Sequence, residues 1–299
     1  MKKLSLTIGI SALNEERNIS RILTQIIDQD TVNFTLKEII VISDGSVDNT
    51  VINAKVVNDK RIKIYDYEDR LGKSERFNQI YRLAKSDITV MLDADCTLGN
   101  NKTLDNLIQP FLLKESVMLV GGNPVARKGK TFIQKAIYAS HVPYYKARKR
   151  LNGGNNIFGC SGPCIALRKE FALKIRLPHL TNEDDYLYLK CISSGYKFIN
   201  APKAIVYSNL PTTLKDYIRQ YIRSNPVAVQ NIYKKEFGDL VSSEYHIPMG
   251  FLMKSYLAGF ISNPIGFILI ATIRILLTPF LPVLATNYKL DWYIAKSTK

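Results

Sequence analysis

The chain has 299 residues, enough for a sizeable core in one large domain or two small ones. Its four cysteines (Cys96, Cys160, Cys164, Cys191) form no CxxC pair and have only His141, His179 and His246 beside them, which argues against a structural zinc site or a disulfide framework and for reduced thiols in a cytosolic setting. The formal charge of +15 is uneven: between Arg127 and Arg176 stand twelve Lys or Arg and one acid, Glu170, a concentration that implies an anionic partner such as substrate phosphates, nucleic acid or a membrane surface.

The opening MKKLSLTIGISAL has the outline of a signal peptide, but Ser5, Thr7 and Ser11 interrupt its apolar run and NEERN follows at once, so it reads as a first strand. Apolar residues at 19, 22, 23, 26 and 27 then have helical spacing across Asn18–Gln29. KEIIVISDGSVDNT (37–50) is a continuous apolar strand breaking at Asp44-Gly45-Ser46, with a helix expected from about Asp48. Arg61–Asp66 and Asp87–Leu92 read as further strands, with a helix over Glu75–Lys85 between them. This alternation predicts a mainly parallel, doubly wound α/β sheet. Ligands sit at the carboxyl ends of strands in such sheets, so Asn14, Asp44, Asp93 and Asp95 are expected to share one rim.

Several short stretches along this rim have chemistry to offer. Asp93-x-Asp95 in VMLDADCTL suits Mg²⁺ or Mn²⁺, which take one or two protein carboxylates plus substrate phosphates; a helix cap or a turn would use the same pair. RLGKSERFN (70–78) lacks the glycine of a P-loop, because position 67 is Tyr67. Even so, Gly72-Lys73 ahead of a helix can bring an ammonium and backbone N–H groups to phosphate. Glu183, Asp184 and Asp185 stand at an expected helix start, where acids are favourable for structural reasons alone and where one could serve as a general base. Gln220 and Arg223, three apart, share a helix face, and Arg suits bidentate phosphate contact.

The later parts change character. AIYASHVPYYKARKRL (136–151) combines Tyr144 and Tyr145 with four basic residues, as a helix lying on a membrane or one with a solvated face would. From Ser255 to Ile273 no residue is charged, and a second uncharged run covers 275–288. Pro264, Pro279 and Pro282 interrupt these runs while Lys254 and Lys289 flank them, which favours a hairpin, re-entrant or interfacial element over a single span.

Taken in order, SALNEERNI (11–19), IIVISDGSVDNT (39–50), GKSERFNQI (72–80), VMLDADC (90–96), CSGPCIALRKE (160–170), NEDDYL (182–187), GYKFINAP (195–202) and QYIR (220–223) resemble the inverting, GT-A-fold glycosyltransferases of family 2. The similarity is greatest to the hyaluronan- and chitin-synthase-like branch. It covers about residues 4–225, and it implies a catalytic domain over 1–230 followed by a helical, membrane-associated region over 231–299. By that resemblance Asn14, Glu15 and Asp44 line the nucleotide, and Lys73 approaches the diphosphate. Asp93 and Asp95 hold Mg²⁺ or Mn²⁺, Asp184 deprotonates the acceptor hydroxyl, and Gln220 and Arg223 close over the donor. It further implies a nucleotide-diphospho-sugar donor, UDP-linked by preference, a glycan or lipid-linked acceptor, and a place on the cytoplasmic face of the membrane. Processive members carry a tryptophan after QxxR. Here that position is Ser224, and the hydrophobic segments are too few for a multispan channel, so transfer of one sugar is expected. A processive synthase subunit, or a scaffold with a decayed transferase fold, is the alternative. No nucleic-acid module is recognised.

Overall fold

The structure, a computed structural model, describes residues 3–127, 129–179, 182–281, 284 and 298, with the backbone alone for 226–229 and 231. Eight strands build one sheet: β1 (Leu4–Ala12), β2 (Phe34–Asp44), β3 (Ile62–Tyr67), β4 (Ile88–Leu92), β5 (Thr97–Leu98), β6 (Val117–Ala126), β7 (Cys164–Arg168) and β8 (Lys197–Ser208), in the order β3-β2-β1-β4-β7-β6-β8-β5. The first half follows the expected winding, with β3, β2, β1 and β4 all parallel. Beyond β4 the sheet is mixed: β7 runs antiparallel to both β4 and β6, β8 is parallel to β6, and β5 is antiparallel to β8. The expectation of a mainly parallel sheet therefore needs correcting in the second half. The chain between β6 and β7 does hold two helical stretches, Phe132–Ser140 and Val142–Arg150, but they pack against helices from the C-terminal part and not across the sheet as the crossover to a parallel neighbour would.

The strands read as continuous apolar runs because both faces of the sheet are covered. On β2, Ile39 and Val41 face one core while Ile40 and Ile42 face the other, the alternation that a period of two imposes. The first core receives α1 (Ile19–Ile27), α2 (Thr50–Val56) and α4 (Thr103–Leu113). The second receives α3 (Lys73–Leu83), α7 (Lys169–Lys174) and α8 (Glu183–Ser193).

Residues 136–151 are not one helix. They fall in α5 (Phe132–Ser140) and α6 (Val142–Arg150), which meet at His141. Thr131 and Gln134 form a reciprocal capping box at the start of α5. Arg148, counted in the basic block, is 3% exposed and donates to Asn123 Oδ1 at 3.1 Å and to the Pro124 carbonyl. Part of that block thus holds the fold together.

After β8 come α9 (Leu214–Arg223), α10 (Pro226–Phe237) and α11 (Leu240–Glu244), then a helical hairpin, α12 (Met249–Ser262) and α13 (Pro264–Leu277). The uncharged stretch breaks at Asn263, whose side-chain oxygen accepts from the Gly266 N–H, with Pro264 in the first turn of α13. Among the described residues no helix is long and apolar enough to cross a membrane. The boundary expected at 230 lies inside α10. Pro282 and Lys289 lie outside the described residues.

Candidate active site

The rim is assembled from strand ends. Asn14, two residues past β1, has a left-handed backbone (φ 53°), a conformation that asparagine tolerates better than most residues. Its N–H donates to Ser46 Oγ at 3.1 Å and its Oδ1 accepts from the Val47 N–H at 2.9 Å. The Glu15 N–H donates to Thr50 Oγ1 at 2.6 Å, and its carboxylate accepts from Asn18 Nδ2 at 2.8 Å. These contacts stitch the β1 end to the loop that follows β2.

Asp44, the last residue of β2, is fully buried. Its carboxylate accepts from the Leu71 and Gly72 N–H groups at 2.9 and 3.0 Å and from Arg76 Nε at 2.6 Å. Arg76, 1% exposed, lies over the Tyr67 ring with its guanidinium 4.3 Å from the centroid. A buried charge is tolerable only when paired and hydrogen-bonded, and Asp44 meets both conditions. The result fixes the turn at Gly72 (φ 86°), which sets Lys73 at the first position of α3.

Lys73 is the hinge of the site. Its ammonium is 2.7 Å from Asp93 Oδ1 and 2.6 Å from Glu183 Oε1, so it joins the end of β4 to the start of α8. Burial pulls its pKa down, but the two carboxylates outweigh this and hold it well above the ordinary lysine range. The loop before β7 closes the group: a Cβ built on Gly162 would stand 3.4 Å from Lys73 Nζ and Glu183 Oε1 and 3.6 Å from Asp184 Oδ2. The Asp93 N–H donates to the Pro163 carbonyl at 3.3 Å, which ties the same loop to β4. Five charged or backbone groups from four distant segments thus converge on one point.

Asp184 and Asp185 share the first turn of α8. Asp184 Oδ2 accepts from the Gly162 N–H at 2.9 Å, and Oδ1 accepts from the Asp185 N–H at 3.0 Å. Burial, then Asp185 and Glu183, push its carboxyl well above the usual range, against the Gly162 hydrogen bond and Lys73. Asp185 is pushed up to about 6 by burial, opposed by hydrogen bonds from Tyr245 Oη (2.6 Å) and Asn182 Nδ2 (3.3 Å). Beside them an edge-on aromatic row runs from Tyr144 through Phe158 to Tyr245, with centroids 5.9 and 6.2 Å apart.

Gln220 and Arg223 sit near the C-terminal end of α9. Asn182 Nδ2 donates to the Ser224 carbonyl at 3.4 Å, so that end of α9 adjoins the start of α8. Asp95 follows Asp93 in the turn after β4, and its backbone carbonyl accepts from Arg21 Nη2 at 3.5 Å. Among the described residues no cluster of three or more His, Cys, Asp or Glu is arranged to hold a metal ion. Two carboxylates at a strand end do supply the hard oxygen donors of a Mg²⁺ or Mn²⁺ site whose shell is completed by phosphate, and on this chemistry the residues fit such a cation.

Some participants had no sequence signal of their own. Arg76 and Glu183 lie within quoted motifs, yet nothing in those motifs says that Arg76 neutralises Asp44 or that Glu183 meets Lys73. Tyr245 stands 60 residues beyond Asp185 and comes from α11's end. The surplus of acids at 183–185 was the one hint that a cation had to come from elsewhere.

Three kinds of likeness bear on the family and the fold. The model of "Glycosyl transferase family 2" matches residues 7–176, more than half of the chain. Poly-beta-1,6-N-acetyl-D-glucosamine synthases are similar: 27% identity over 224 residues in Staphylococcus aureus and 28% over 230 in Staphylococcus epidermidis, covering 73% and 72% of this chain and 53% of each relative. The chain therefore spans about half the length of these curated relatives. A mannosyltransferase from Pyrobaculum calidifontis, solved with GDP-Man and Mn²⁺, superposes with a TM-score of 0.59 at 20% identity, covering 96% of this chain and 80% of that one. A glucosyl-3-phosphoglycerate synthase from Mycobacterium tuberculosis gives 0.50 at 19% identity, covering 72% and 74%. These two structures speak to the fold, which is α/β and GT-A-like. With a match over most of its sheet, and with that rim above it, the chain belongs to glycosyl transferase family 2 and is a glycosyltransferase.

Proposed function

We propose that the protein transfers one sugar from a nucleotide-diphospho-sugar, UDP-linked by preference, to a hydroxyl of a glycan or lipid-linked acceptor, with inversion and with a divalent cation. The observation that carries this reading is the convergence of Lys73, Asp93, Glu183, Asp184 and Gly162 on one point of the rim. In this reading residues 1–230 are the catalytic domain. Residues 231–299 associate with the cytoplasmic face of the membrane.

Asn14, Glu15 and the loop that Asp44 anchors frame the nucleoside. Lys73, kept cationic by its two carboxylates, faces the diphosphate. Gln220 and Arg223 close over the donor from α9. Asp184 takes the proton of the acceptor hydroxyl as its oxygen bonds to the anomeric carbon and the bond to the diphosphate breaks; no covalent enzyme intermediate is needed. Asp93 and Asp95 would hold Mg²⁺ or Mn²⁺, which would offset the charge of the leaving diphosphate. The raised pKa of Asp184 supports its role, because it makes the ionised carboxylate a stronger base than an ordinary aspartate.

The test is donor binding and turnover by the detergent-purified protein, across UDP- and GDP-sugars with Mn²⁺, Mg²⁺ or EDTA. Metal-dependent binding of one donor, lost in Asp95→Asn and kept in Asp184→Asn, is the expected result. Absence of binding to every donor by folded protein would overturn it in favour of a scaffold.

A further inference from the structure

The helical hairpin α12–α13 is built inside out. Where it meets the protein it presents small residues beside the buried Ile270: a Cβ on Gly259 would come within 2.6 Å of the Ala139 carbonyl oxygen, and one on Gly266 within 2.7 Å of Ala136 Cβ. Both close approaches are to α5. Outward, the side chains are large and apolar. Met249, Met253, Leu257 and Ile261 follow one another at intervals of four along α12, and Ile265 and Ile275 lie on α13, all six between 58% and 74% exposed. A helix in water places its large apolar residues inward. Small residues at the helix contacts with large ones outside is the pattern of helices packed in lipid.

Charge points the same way. The four helices α5, α6, α12 and α13, which pack together, contain no Asp or Glu and seven Lys or Arg, of which Arg148 and Arg274 are bonded inside the fold and Lys135, Lys146, Lys149, Arg150 and Lys254, among the described residues, are not. Arg274, the one charged residue of α13, turns inward: Nε donates to Tyr217 Oη at 2.7 Å, Nη1 to the Ser140 carbonyl at 3.2 Å and Nη2 to Ser140 Oγ at 3.1 Å. Its guanidinium also lies 5.4 Å from the centroid of the Tyr221 ring. His141, beside it, is held down to about 4 by burial and by Arg274, and so adds no charge near neutral pH. The outer face of α13 is left uncharged.

Tyr217 and Tyr221 belong to α9, the helix that carries Gln220 and Arg223. We propose that the α12–α13 hairpin docks into one leaflet of an anionic lipid bilayer by its outer apolar face, and that Arg274 clasps α9 so that docking positions the donor-closing helix. The first clause deepens the membrane association proposed above, and the second rests on the donor chemistry of that proposal. Twenty-nine residues from Met249 to Leu277, folded into two antiparallel helices of 14 each, reach only about 20 Å at 1.5 Å per residue. That length suits shallow insertion, because a hydrocarbon core is about 30 Å thick.

Flotation of the full chain with phosphatidylcholine vesicles, with and without phosphatidylglycerol, tests the dock without reference to donor. Wild type is expected to float, more strongly with the anionic lipid. The double variant Leu257→Glu/Ile261→Glu should lose roughly tenfold or more in partitioning with an unchanged melting curve. Wild type that stays at the bottom of the gradient, or that instead self-associates through this face in sedimentation with no affinity for vesicles, overturns the dock. The clasp is read by donor KM against kcat, with and without vesicles. Vesicles should lower KM in wild type; Arg274→Met and the milder Tyr217→Phe should float normally yet lose that response, with Arg274→Lys restoring part of it. A vesicle response equal to that of wild type in Tyr217→Phe and Arg274→Met overturns the clasp. If no donor binds under any condition, the proposed function falls while the flotation result stands.

Discussion

Asp44 and the Asp184–Asp185 pair are both carboxylates set beside the same rim, and they are treated in opposite ways. Asp44 is given a guanidinium and two backbone N–H groups at 2.6–3.0 Å. Asp184 and Asp185 receive amide and hydroxyl donors, while the nearest ammonium, Lys73, is bonded to Asp93 and Glu183. A fully compensated charge is a structural bolt, and its energy is locked in the fold. An undercompensated one has a raised pKa and is ready to take a proton. The contrast distinguishes positioning from chemistry on one rim.

The largest expected effect is on chemistry. Asp184→Asn should lower turnover by roughly 10³-fold, the middle of the range for loss of a general base, with donor affinity within a few-fold of wild type. Calorimetric titration and steady-state rates separate the two. A comparable loss of affinity would make Asp184 a binding residue and erase the contrast.

Next comes the bolt. Arg76→Met leaves Asp44 buried without its cation and should cost about 3–5 kcal/mol in urea unfolding. A variant of unchanged stability and raised donor KM would place Asp44 in the donor contact instead.

The pair's pH dependence is smaller and has a definite sign. Folded-state pKa values above the unfolded ones mean that the folded chain holds protons which the unfolded chain has released. That contribution to stability is fully present below pH 3.8 and is lost as pH rises through about 6. Asp185→Asn should therefore gain on the order of 3 kcal/mol relative to wild type at pH 8 and little at pH 4, by the worth of a pKa unit. Equal differences at both pH values would show the pair to be compensated like Asp44. The raised Asp184 carboxyl should also make kcat/KM go on rising at pH values where an ordinary carboxylate base has already levelled off.

The smallest effect sharpens the picture. Tyr245→Phe removes a hydrogen bond that lowers the Asp185 pKa. The rising limb of the rate profile should move to higher pH, with a stability change near 1 kcal/mol. A limb moving downward would reverse the assigned role of the hydroxyl.

Periodicity and motif order carried the first half of the fold. Alternation on β1, β2 and β4 and the spacing 19, 22, 23, 26 placed strands and helices within a few residues, because burial on a sheet or a helix writes its period into one dimension. Asn14, Asp44 and Asp93 fell on one rim for the same reason, since parallel strands end together. The second half was less legible. Nothing local says that β7 turns antiparallel, or that the aromatic and basic 136–151 stretch splits at His141 with Arg148 inside.

What the amino-acid order determined alone, then, is where elements start, which acids cluster and where charge stops, because these depend on neighbours along the chain. The tertiary structure decided which charges meet. Lys73 joins Asp93 and Glu183 across 110 residues of chain, Asp44 spends itself on Arg76, and Arg274 turns inward to Tyr217. Electrostatic compensation falls off with distance in space, not in sequence, so only the closed fold could assign it.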